Sequence, residues 1–253
     1  MLAIDKISII GNGNVGSHLI RAFRQSGVQV THAWDQSVDT DIIEETEWVS
    51  SPDQLPIDQI VILCLPDDVT PIVVNQIKAT HAVAYTSGSV DLEQFDRNAN
   101  VGVFYPLQTF SKAIELDYKK IPFFIEATND EFASLLIKLA EKISTNVHLA
   151  DSDYRTRMHK VAVWVNNFTN HILFQAQELA RSEEISFEHM KPLLEETVRK
   201  LNFKGAYEAQ TGPARREDTS TIEKHLKTLS PEQRDLYLTL TNSILQTYGH
   251  EKL

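Results

Sequence analysis

Gly11, Gly13 and Gly16 follow the spacing Gly-x-Gly-x-x-Gly inside Ile-Ser-Ile-Ile-Gly-Asn-Gly-Asn-Val-Gly. That spacing suits recognition of a dinucleotide by backbone. The first glycine permits a tight turn, the second lets the chain approach a pyrophosphate, and the third lets a helix pack on a strand. With Asn12, Asn14 and Val15 these glycines form a turn whose N–H groups would face an anion at a helix start. An unliganded strand-to-helix turn can carry the same pattern, but the β-branched strand before it and the helical run after it favour the dinucleotide. Asp35 lies 19 positions beyond Gly16, close to where an acid would hold the ribose hydroxyls of NAD. A solvated turn aspartate fits equally well. Gln36, Ser37 and Val38 follow with no arginine for a 2′-phosphate, which tilts the expectation toward NAD over NADP.

A second group of residues could act on a substrate. Ser87-Gly88-Ser89 forms a polar turn that could present hydroxyl and N–H donors to a substrate or to the cofactor, although a plain turn fits as well. Gln108, in the loop 106–112, is a further candidate substrate contact. His159, Asn166, Asn170 and Gln177 are separated by steps of seven, four and seven, which places them on one helical stripe. A histidine there could give or take a proton near neutral pH; Asn166, Asn167 or Asn170 could orient a carbonyl. Asn167 and His171 form a neighbouring i, i+4 pair. Amides and histidines bonded between helices are the plainer reading. Arg215 and Arg216 stand together in an acidic chain, and Arg215 could hold a carboxylate or phosphate, or pair with a nearby acid.

These residues need positioning elements. The strand 7–10 leads into the glycine turn and the helical run 17–25. Residues 28–34 predict a second strand, and 38–56 a short helix and a short strand. The apolar run 60–65, closed by Pro66 and Asp67, predicts a central strand buried on both faces, so Leu65, Pro66 and Asp67 should border the cofactor crevice. A helix about 70–79 and strands at 81–86, 101–105, 122–126 and 146–150 follow, with a helix at 130–143. This alternation predicts an α/β fold, a doubly wound and largely parallel Rossmann sheet over residues 1–150. From 151 to 253 only helices are predicted, so a separate all-α domain is expected there. Its first helix places Met158, Val161, Ala162, Val165, Phe168, Ile172, Ala176 and Leu179 on one apolar face, expected to be core. No Asp, Glu, Lys or Arg occurs between Lys160 and Glu178.

Composition narrows the function classes. Among 253 residues, 35 acidic side chains face 24 basic ones, a formal charge of −11, which disfavours nucleic acid and anionic membranes as partners. The one cysteine, Cys64, sits in an apolar run, so no intrachain disulfide is expected and a reducing, cytoplasmic setting fits. Asp5 and Lys6 within the first strand do not resemble a secretion signal, and no apolar run is long enough to span a bilayer. The nine histidines show no metal-binding spacing, so no metal is expected.

Several stretches together resemble a known family: Gly11–Gly16, Tyr85-Thr86-Ser87-Gly88-Ser89, Gly102-Val103-Phe104-Tyr105-Pro106-Leu107-Gln108-Thr109-Phe110, His159, Asn166-Asn167-Phe168, and residues 210–218 with His225. The chain resembles bacterial Rossmann-like proteins carrying the domain of unknown function numbered 2520. These are distant relatives of pyrroline-5-carboxylate reductase, the β-hydroxyacid dehydrogenases and deazaflavin-dependent NADP oxidoreductases. The resemblance implies an N-terminal nicotinamide-dinucleotide domain, a C-terminal helical domain like that of 6-phosphogluconate dehydrogenase relatives, and a homodimer. It does not imply a substrate. Gln36 departs from the arginine common in relatives, and Glu217 from a glycine.

The expected activity is hydride transfer between NAD(P)(H) and a carbonyl or imine of a small polar substrate, which could bear a carboxylate. His159 is the expected acid/base. A catalytically silent NAD(P)-binding sensor or scaffold, or a methyltransferase on the same fold, remains open.

Overall fold

The computed structural model describes residues 2–34, 46–49, 51, 54–96 and 99–253. Asp35 and Gln36, and the helix expected near residue 40, lie outside the described residues. Eight strands form one sheet: β1 (Ala3–Ile10), β2 (Gln29–Trp34), β3 (Glu47–Trp48), β4 (Gln59–Leu63), β5 (Ala82–Tyr85), β6 (Val101–Pro106), β7 (Phe123–Ala127) and β8 (Val147–Leu149). Their order is β3-β2-β1-β4-β5-β6-β7-β8. All neighbours run parallel except β6 and β7. The order reverses direction between β1 and β4, and ligands of open α/β sheets bind beyond the C-terminal ends at such a point.

Alternation along the strands splits the core into two layers. Ile7, Ile9, Ile60, Ile62, Ala82, Ala84 and Phe104 join one layer, with Leu19, Ile20 and Phe23 of α1 (Asn14–Gln25) and Phe132, Leu136 and Leu139 of α3 (Asp130–Glu141). Ile10, Val61, Leu63, Val83, Tyr85, Val103 and Tyr105 join the other, against Val73 and Val74 of α2 (Thr70–Gln76). Strands buried on both faces read as unbroken apolar runs, which is why the sheet was recognisable in sequence.

The chain divides into two compact units, Met1–Asn167 and Phe168–Leu253. Helix α4 (Ser152–Ala162) packs within the first unit, although strand signals end before it. It is followed by a π-helical segment, Val163–Phe168. The second unit is helical: α5 (Thr169–Ser182), α6 (Lys191–Lys200), α7 (Ala206–Ala209), α8 (Thr219–Leu226) and α9 (Pro231–Thr247). Helix α9 starts as its Ser-Pro-Glu-Gln sequence dictates, with Ser230 and Gln233 forming a reciprocal capping box.

Two expectations are corrected. The apolar face on α4 and α5 is not core in this chain: Val161, Val165, Phe168 and Ile172 are exposed, Val165 at 69%. Spacing defines an apolar face but not what covers it. The polar stripe is also displaced, because a π segment advances fewer degrees per residue than an α-helix, so steps of seven and four no longer stack across residues 163–168.

Candidate functional site

The glycine turn connects β1 to α1. Gly11 has φ +93°, and a Cβ there would lie 2.4 Å from the Cys64 carbonyl oxygen. A Cβ on Gly16 would lie 1.8 Å from the Gly11 carbonyl oxygen. These two positions are closed by the protein itself. Around Gly13 nothing lies within 4 Å of the corresponding point. Gly13 is the N-cap of α1, has no side chain to bond the first turn, and no acid occupies that turn. The early N–H groups of a helix lack intrahelical acceptors and attract anions. The turn therefore fits a pyrophosphate: closed where glycines must pack, open where a ligand would approach. Asn12 is buried, Val15 packs against the core, and the Asn14 carbonyl accepts from Ser17 Oγ at 3.1 Å.

Beside this turn β4 ends at Leu63 and runs on into Cys64 and Leu65. Cys64 N donates to the Ile10 carbonyl at 2.7 Å. Burial pushes its thiol up to about 12, opposed by a hydrogen bond with Thr86. Pro66, Asp67 and Asp68 follow as an exposed turn, where the Pro66 carbonyl accepts from Thr70 N at 2.9 Å to start α2.

The turn after β5 is built from side chains. Ser87 Oγ is buried and accepts from Ser89 N at 3.1 Å and Val90 N at 3.0 Å. Ser89 Oγ donates to Asp67 Oδ2. This joins the turn after β5 to the turn after β4. Gly88 lies under the ring of Tyr105: a Cβ there would fall 2.7 Å from the ring's Cζ.

Arg155 of α4 is fully buried and fastens this turn. Its Nη1 donates to the carbonyls of Val90 at 3.2 Å and of Ser87 and Gly88 at 3.4 Å. Its Nη2 and Nε donate to Glu126 Oε2 of β7 at 2.6 and 3.2 Å. Ser152 completes the cluster, donating to Glu126 from N and Oγ at 3.1 and 2.9 Å. A buried guanidinium is tolerated when a carboxylate and several carbonyls share its donors. Arg155 thus fixes the start of α4 to the turn of Ser87.

One helical turn beyond Arg155, His159 Nδ1 meets Tyr105 Oη at 3.2 Å. Tyr105 ends β6 and is buried. Burial raises its phenol above the usual range, the Asp67 carboxylate adds to this, and Arg155 opposes it. Tyr105 and His159 line one cavity of about 430 Å³ with Gln108, Asn166, Asn167, Leu107 and Met158 among their neighbours. The structure therefore brings His159, Asn166, Asn167 and Gln108 together. Asn170 is exposed on α5 and does not line this cavity. Tyr105 and Arg155 escaped the sequence reading. The one available signal was the i, i+4 spacing of Arg155 and His159.

Comparison with known proteins follows the same lines. The family model described as a domain of unknown function, DUF2520, matches residues 121–244. A candidate NADP oxidoreductase from Bacteroides fragilis is 32% identical, with 96% of this chain and 100% of that one covered and a TM-score of 0.88. The chain belongs to the DUF2520 family of Rossmann-like proteins. A protein from Thermotoga maritima shares the fold at 16% identity, with 96% of this chain and 98% of that one covered and a TM-score of 0.70. An imine reductase from Myxococcus stipitatus, in complex with NADP+, shares it at 14%, with coverage of 98% and 96% and a TM-score of 0.64. The search of curated proteins finds no match.

In the helical unit of this DUF2520 protein, Arg215 is half-buried and its guanidinium stacks on the Tyr248 ring at 4.0 Å. Tyr248 in turn faces Tyr207, with ring centres 4.6 Å apart. Glu217 adopts the left-handed φ of 56° and pairs with His250 at 3.1 Å. Among the described residues no helix is long and apolar enough to cross a membrane, and none group as a metal-binding cluster.

Proposed function

We propose that the protein is an NAD(P)-dependent oxidoreductase that moves a hydride between a nicotinamide cofactor and the carbonyl or imine carbon of a small polar substrate. One observation supports this above the others: a chain of contacts runs along a single sheet edge from the pyrophosphate-ready glycine turn to an acid/base pair. Gly11 abuts Cys64, Asp67 holds Ser89, Gly88 supports Tyr105, and Tyr105 meets His159. The backbone of Gly11, Asn12, Gly13, Asn14, Val15 and Gly16, with Leu65, Pro66 and Asp67, would hold the dinucleotide. Ser87 steadies the neighbouring turn.

Bound there, the nicotinamide supplies or accepts the hydride. The protein must then orient the substrate and manage one proton. His159, in contact with the Tyr105 hydroxyl, is the acid/base; Asn166, Asn167 and Gln108 offer amides to a carbonyl or imine, and Ser89 a hydroxyl. Cofactor choice between NAD and NADP rests on Gln36 and stays a lean toward NAD; the Bacteroides relative is a candidate NADP enzyme. The exposed apolar side chains of the helical unit, Leu193 of α6 and Phe203 just after it among them, support a homodimer through the helical domain, measurable by light scattering.

The test is oxidation of NADH and NADPH against a panel of ketones, 2-oxo acids and cyclic imines. The reading expects at least one class to be reduced, and His159→Ala to lower turnover about 100-fold or more with unchanged cofactor affinity. Cofactor binding with no turnover of any class would replace this reading with that of a silent sensor.

A further inference from the structure

The cavity beside Tyr105 and His159 is lined by amides, hydroxyls, one imidazole and apolar side chains; none of its lining residues is Lys, Arg, Asp or Glu. Its size lies in the range that encloses a small organic molecule. Two formal charges act on Tyr105 from outside the cavity. Arg155 lies behind the Ser87 turn, fully buried, with its charge taken up by Glu126 at 2.6 Å and by three backbone carbonyls. Asp67 accepts from Ser89 Oγ and its carboxylate acts on the Tyr105 phenol; among the described residues no ion pair joins it to a cation. Tyr105 on the cavity wall therefore feels a carboxylate, and no Lys or Arg shares that wall. An anion beside Tyr105 would face that carboxylate with no Lys or Arg on the wall to offset it, which is unfavourable.

We propose that this cavity selects ligands that carry no carboxylate or phosphate: an uncharged ketone or imine, or a nitrogen cation, on an apolar body, with Tyr105 Oη as the hydrogen-bond partner. The proposal rests on reading the cavity as the substrate pocket of the oxidoreductase, and it narrows that reading to one charge class. Leu107, Met158 and Val163 contact the body, while the polar head meets Tyr105 and His159. A phenol bonded to an imidazole can either donate to a neutral acceptor or accept from an N–H, so both head groups are served.

The test is direct binding to the full chain by ligand-observed NMR, with cyclohexanone and cyclohexylammonium set against 4-oxocyclohexanecarboxylate and cyclohexanecarboxylate. Cyclohexanone or cyclohexylammonium is expected to bind at least tenfold more tightly than either carboxylate. Tyr105→Phe, which keeps the ring over Gly88, should weaken that binding severalfold. Gln108→Arg, on the exposed rim, adds the missing cation and should narrow or reverse the preference. Equal or tighter binding of the carboxylates to the unaltered protein would overturn the proposal. So would an unchanged preference in Gln108→Arg, or no binding of any probe. NADPH binding is measured on the same samples; its loss would count against the oxidoreductase reading and leave the charge preference standing.

Discussion

The turn after β1 and the turn after β5 lie on one edge of the sheet but are held by opposite means. The first is a backbone device. Its shape depends on two missing side chains, at Gly11 and Gly16, whose Cβ atoms would strike carbonyl oxygens. The second is a side-chain device. Ser87 caps it from within, Arg155 fastens its carbonyls, and Glu126 holds Arg155. Cys64 stands between the two, packed on Gly11 and bonded to Thr86. The contrast has a chemical sense. A pyrophosphate needs N–H groups at close range and little else, whereas a substrate-facing turn must hold hydroxyls and a tyrosine in fixed positions.

The sharpest break of the second turn is Arg155→Met, which leaves the largely buried Glu126 carboxylate, 18% exposed, with no cation. Removing one partner of a buried ion pair costs about 3 kcal/mol or more, so chemical denaturation should show a loss of that size. A loss below about 1 kcal/mol would mean that the pair behaves as a surface contact. For the first turn, Gly11→Ala forces a left-handed backbone on alanine and a clash with Cys64. The conformation alone costs about 1–3 kcal/mol, so stability should fall by at least that much even without ligand.

The smallest effect concerns the residue between the turns. The folded thiol of Cys64 is raised from 9.0 to about 12, so the native state keeps a proton that the unfolded chain loses. That stabilisation is complete below about pH 9 and disappears as pH rises through about 12, at up to about 1.4 kcal/mol per pH unit. Cys64→Ala should flatten the slope between pH 9 and 10, leaving the smaller contribution of buried Tyr85 and Tyr105, which grows as pH approaches 10. An unchanged slope would show that the thiol is not protected.

The difference between the turns also explains what could be read from the residues alone. Gly11, Gly13 and Gly16 announce their turn because its geometry is local, and the unbroken apolar run ending in Cys64 announces its strand. Arg155 and Glu126 are 29 positions apart, and it is the parallel pairing of β7 with β8, which α4 follows, that brings Glu126 to α4. No local pattern encodes that. Tyr105 reads as one more strand aromatic until Gly88 and His159 are placed around it. The π segment was hidden for another reason: steps of seven and four fit an ordinary helix, and nothing in Val-Trp-Val-Asn-Asn-Phe marks the wider turn. Likewise the exposure of Val165 depends on packing partners that spacing does not specify.

The most direct measurement is calorimetric titration of NADH and NADPH into the protein and into Gly13→Asp. Gly13 has an extended backbone conformation at the N-cap, φ −70° and ψ −161°, which aspartate adopts readily and where it favours a helix. The variant should therefore melt no lower than the parent. Its carboxylate, however, would occupy the open space meant for a pyrophosphate. Binding of at least one cofactor to the parent, with a loss of 100-fold or more in Gly13→Asp at unchanged stability, is the predicted result. Binding of neither cofactor to the parent, or equal binding to both proteins, would contradict a dinucleotide site at this turn.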